Sequence, residues 1–74
     1  MPAMAEKKLL ELIKKQNFSV ERTSKGHYQL INPEGNATPV MFAVGHGGNK
    51  GIVNAPYVKR VFVTIGLWDS RYSQ

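Results

Sequence analysis

Cysteine is absent from this 74-residue chain, so neither disulfide staples nor thiolate metal sites are open to it. Carboxylates are scarce, with five Asp and Glu in all. Two histidines without a carboxylate at paired spacing do not make a metal site, so neither a metal nor any other cofactor is expected. Long apolar runs are missing too. Nothing approaches the roughly 18 uncharged apolar residues needed to cross a bilayer. Charges running through residues 1–15 interrupt what would be the apolar core of a signal peptide. A cytoplasmic protein without a membrane partner is the expectation. Repeats, low-complexity stretches and linkers are lacking as well, so residues 1–74 are expected to form a single domain. A domain of this size buries only about 60% of its unfolded surface, so its stability must come from a compact apolar core, a partner, or both.

Against that scarcity of acid stand ten Lys and Arg, for a formal net charge of +5. A small basic domain attracts polyanions, because each phosphate that it neutralises releases a condensed counterion. Nucleic acid, an anionic membrane surface or an acidic protein all meet that requirement. The basic residues are scattered through the chain with no polybasic run beside an amphipathic anchor, which makes the membrane the weakest of the three.

Residues 5–16 read as a helix. Ala5, Leu9, Leu12, Ile13 and Gln16 follow the spacing of one face, with Leu10 at its edge. Glu11 and Lys15 form a favourably ordered pair on the polar side. Asn17 tolerates the left-handed conformation that closes a helix. Residues 18–22 switch to a period of two, with Phe18 and Val20 on one face. Ser24-Lys25-Gly26 is a turn in which Gly26 can take positive φ. A second strand is expected over 27–32, a turn at Pro33-Glu34-Gly35-Asn36 and a third strand over 38–44. Pro39 has no N–H to donate, which places it at an edge or at the strand's entry. Residues 45–53 are glycine-rich and polar, and read as a loop.

Asn54 as N-cap, Pro56 in the first turn, the spacing of Val58, Val61, Phe62 and Ile65, and Gly66 at the end define a second helix. Its β-branched residues favour strand, but capping and spacing outweigh them. The order is helix, three strands, helix: an α+β fold, with a three-stranded antiparallel sheet carrying two helices on one face and leaving the other open.

His27 is the first candidate for chemistry. If Tyr28 and Leu30 enter the core, alternation leaves His27 on the open face at the start of a strand. An imidazole exchanges protons near neutral pH, which suits it to remove the 2′-OH proton in RNA cleavage without metal. Cations must then stabilise charge on the phosphoryl oxygens, and Lys25, Lys50, Lys59 and Arg60 are the candidates. Taken alone, a histidine beside a tight turn is also an ordinary surface residue. The second candidate is residues 45–51. Successive glycine amides can cradle a phosphate ahead of a helix N-terminus, His46 could serve as a further phosphate-binding or proton-transfer group, and a plain flexible connection is the alternative. No Walker ending is present. Trp68, Tyr57 and Tyr72 could stack on bases, although such residues more often close a core, and Trp68 is expected to pack under the C-terminal segment.

Leu9-Leu10-Glu11-Leu12-Ile13-Lys14-Lys15, then Asn17-Phe18, then Lys25-Gly26-His27-Tyr28, then Pro33-Glu34-Gly35 resembles the HicA toxins in order and spacing. The segment with His46, Lys50 and Gly51, followed by residues 55–67, is similar to the later part of that family. The resemblance implies a double-stranded-RNA-binding-like α-β-β-β-α fold and a ribonuclease toxin that cuts mRNA. It also implies an essential histidine on the second strand, matched here by His27, and a HicB-type antitoxin as partner. Gly26 would shape the approach to that histidine. The family's usual Gly-Ser-His is replaced by Ser24-Lys25-Gly26-His27, which removes the hydroxyl directly before the histidine and sets a lysine nearby. Lys25, Gly26, His46, Lys50 and Lys59 are the expected RNA and phosphate contacts. A non-catalytic double-stranded-RNA-binding module of the same fold is the alternative.

Overall fold

The fold is given by a computed structural model, which describes residues 2–45 and 47–68. Its elements run β1 (Met4–Ala5), α1 (Glu6–Lys15), β2 (Ser19–Ser24), β3 (His27–Ile31), β4 (Ala37–Ala43), a 3₁₀ turn (Gly47–Asn49), β5 (Ile52–Val53) and α2 (Ala55–Ile65). β2, β3 and β4 form an antiparallel meander in that spatial order, and β1 pairs with β5 in a separate two-stranded sheet.

The helix–three strands–helix order therefore stands, as a small α+β fold. Three details differ from the sequence reading. Residues 45–53 are not all loop: they contain the 3₁₀ turn and β5. Ala5, expected in the first helix, pairs with β5 as part of β1 instead. The first strand of the meander, β2, extends to Ser24 rather than ending at Arg22.

Periodicity explains the helices. In α1, Leu9 and Ile13 are buried, one turn apart, while Lys14 and Lys15 sit in the last turn and Glu6 in the first, each sign at the helix end whose dipole favours it. Asn17 takes φ 65°, and the Phe18 N–H donates to the Ile13 carbonyl at 3.2 Å, so the helix closes on a left-handed residue. In α2, Val58, Val61 and Ile65 are buried, and this burial overrides the strand propensity of its β-branched residues. Asn54 does occupy the N-cap, but its side chain makes no capping hydrogen bond. Its carbonyl accepts from Tyr57 and Val58 instead, at 3.0 and 3.1 Å. Gly66 ends the helix at φ 87°.

The core joins Leu9 and Ile13 of α1, Leu30 and Phe42 of the sheet, Val44, Val53, and the three buried residues of α2. Both helices thus cover the sheet face that carries Leu30 and Phe42. The opposite face presents Glu21 and His27, both exposed, and Met41, 46% exposed. β4 is an edge strand, where Pro39 costs no ladder bond. No helix among the described residues is long and apolar enough to cross a membrane.

Candidate functional site

His27 opens β3 because the chain reverses directly before it. Ser24 and His27 are cross-strand partners, with Lys25 and Gly26 making the turn between them. Gly26 sits at φ 75°, which a residue bearing a Cβ adopts only at a cost. The register shifts between Arg22 and Ser24, leaving Thr23 as an extra residue in β2. Such bulges re-aim the side chains that flank them. Here the Ser24 hydroxyl comes to 3.1 Å from His27 Nδ1, and the Lys25 carbonyl oxygen lies 3.0 Å from the same nitrogen. A carbonyl only accepts, so the contact with Lys25 is a hydrogen bond in the tautomer that protonates Nδ1, and in that tautomer Nε2 holds the lone pair. The imidazole is exposed, and its neighbour in register on β4 is the small residue Ala43, which leaves room beside the ring.

The same turn also forms one wall of a cleft of about 300 Å³, whose lining includes Arg22, Lys25, Gly26, Tyr28, Lys50 and Glu6. Tyr28 closes its floor. Its hydroxyl donates to Glu6 Oε2 at 2.6 Å, and its ring stacks on Phe42 with centroids 5.3 Å apart. The hydrogen bond to Glu6 raises the phenol's pKa above its ordinary value, burial and the Glu6 charge add to that, and Arg22 opposes it. Gly45 and Gly51 line the cleft as well. The Gly51 N–H donates to the Gly45 carbonyl at 3.3 Å, the Gly45 N–H to the Ile52 carbonyl at 2.9 Å, and the Gly51 carbonyl accepts from the Glu6 N–H at 2.8 Å. The segment expected to be an open loop is therefore bonded onto itself and onto the start of α1.

Of the expected contacts, Lys25, Gly26 and Lys50 come together at the cleft, while His27 shares the turn without lining the cleft. Lys59 lies elsewhere, in a groove between α2 and β4 lined also by Val40, Arg60 and Val63. His46 lies outside the described residues, as do Tyr72 and the segment under which Trp68 was expected to pack. Tyr57 packs against the core, with the Arg60 guanidinium 5.9 Å from its ring centroid. Among the described residues no group of three His, Asp or Glu could hold a metal ion. The sequence reading missed Arg22 and Glu6. Arg22 was detectable, since it continues the two-residue phase of Phe18 and Val20. Glu6 carried no local signal, because the pairing of β1 with β5 is what brings it there.

No family model, curated protein or solved structure matches this chain. The turn and the cleft are what bear on function.

Proposed function

We propose that this protein is a metal-independent endoribonuclease of the HicA toxin type, cutting mRNA with His27 as general base and held in check by a HicB-type antitoxin. The observation that carries the reading is the bonding of His27: Nδ1 is engaged by Lys25 and Ser24, and Nε2 is the acceptor of an exposed ring. Nε2 takes the proton of a ribose 2′-OH, and the 2′ oxygen attacks the adjacent phosphorus. The P–O5′ bond breaks, leaving a 2′,3′-cyclic phosphate on one fragment and a 5′ oxygen that takes up a proton on the other. Lys25, Lys50 and Lys59 hold RNA phosphate, Gly26 keeps the approach to His27 open, and His46 is a further RNA contact. The helix–three strands–helix order supports a double-stranded-RNA-binding-like fold, and the sheet face bearing His27 and Met41 is the surface an antitoxin would cover.

The test is incubation of labelled mRNA in excess EDTA with the parent and with His27→Ala. The parent should cut, and the variant should lose about 10²–10⁴-fold in rate while still binding RNA. RNA binding without cleavage by either protein assigns the chain to the non-catalytic double-stranded-RNA-binding alternative.

A further inference from the structure

We infer that the cleft beside the Lys25–Gly26 turn anchors a second phosphate of the bound RNA, flanking the scissile one, with Arg22, Lys25 and Lys50 as its ligands. The choice of RNA as occupant rests on the function proposed above; the site itself rests on geometry. Three cationic residues line one cleft from three separate places in the chain: β2, the turn, and the segment before β5. The carboxylate they share it with, Glu6, already accepts the Tyr28 hydroxyl, which leaves an excess of positive charge in a concave site where field lines concentrate. Arg22 is the residue best suited to grip there, since a planar guanidinium binds phosphate oxygens through two parallel N–H bonds. His27 does not line this wall, so a phosphate held here is not the one under attack.

Lys25 connects the two. It lines the cleft, and its carbonyl engages His27 Nδ1. A phosphate bound in the cleft thus steadies the turn that orients the histidine, which makes Arg22 and Lys50 positioning residues for the cut.

The experiment measures binding of a 2′-O-methyl RNA oligonucleotide, which cannot be cut because the attacking hydroxyl is blocked, by fluorescence anisotropy over a range of salt. Arg22→Gln and Lys50→Gln should each weaken binding about tenfold at low salt and flatten the dependence of log affinity on log salt by about one phosphate's worth. Lys8→Gln, which removes an exposed charge from α1 away from the cleft, should stay within about twofold of the parent. Arg22→Lys and Lys50→Arg should recover part of the loss, which a merely misfolded protein would not do. Parent-like binding by both glutamine variants, or an equal loss in Lys8→Gln, overturns the cleft. The two readings fail separately. A parent that cuts RNA while the glutamine variants bind normally sinks the cleft alone. A parent that never cuts, with weakened binding in those variants, sinks the nuclease and leaves the cleft standing. Absence of RNA binding by the parent overturns both.

Discussion

At Tyr28 a phenol, a carboxylate and an aromatic stack meet, and this one side chain ties the first turn of α1 to the middle of the sheet. Its raised pKa has a definite sign in stability. The folded protein holds the phenolic proton more tightly than the unfolded chain does, so the contribution is complete below the unfolded pKa near 10 and is lost as pH rises through the folded value. Tyr28→Phe should therefore lower stability by about 1 kcal/mol at neutral pH and flatten the fall in melting temperature above about pH 10. An alkaline limb unchanged in the variant would mean that the hydrogen bond to Glu6 contributes nothing. Beside it, His27 is met by the hydroxyl of Ser24, its cross-strand partner across the turn, next to the bulge at Thr23.

Among the elements, glycines with the same side chain carry opposite requirements. Gly66 ends α2 at φ 87°, whereas Gly48 has an ordinary φ, and a Cβ there would meet nothing within 4 Å. Gly66→Ala should cost about 1 kcal/mol or more, while Gly48→Ala should be neutral or stabilise by up to about 1 kcal/mol through loss of freedom in the unfolded chain. Urea unfolding of the two variants checks this, and equal effects would contradict it. The same elements show what the sequence makes legible. α1, α2 and the meander announce themselves because their apolar residues repeat over several turns or alternations. Asn17, Gly26 and Gly66 mark ends because few other residues tolerate positive φ there. β1 and β5, as Met4–Ala5 and Ile52–Val53, are too short to show a period and owe their existence to each other. Glu6 is invisible from sequence for that reason. The approach of Lys25 to Lys50 depends on it as well.

Over the whole molecule, the excess of five positive charges governs how RNA is met. With one phosphate held by Arg22, Lys25 and Lys50 together, log affinity for single-stranded RNA should fall with log salt at a slope of about −0.7 from the cleft alone, roughly twofold to threefold between about 50 and 200 mM. Salt-independent binding would rule out a phosphate-centred interface. A domain this small has little stability in reserve, and the nine buried core side chains among the described residues come from α1, β3, β4, Val44, β5 and α2. None of these five elements can therefore be removed without opening the core.

The pairing of Met4 with Val53 carries a consequence in time. β1 is synthesised before α1 and the meander, and its partner β5 after them. Contacts so distant in sequence bear the largest loop-closure entropy and form late. A nascent chain that stops short of Val53 can already build the meander and α1. It cannot seat Glu6 against Gly51 or bring Lys50 to the turn. The histidine's strand thus precedes the cationic cleft in the order of assembly, and the cleft is completed only once β1 meets β5.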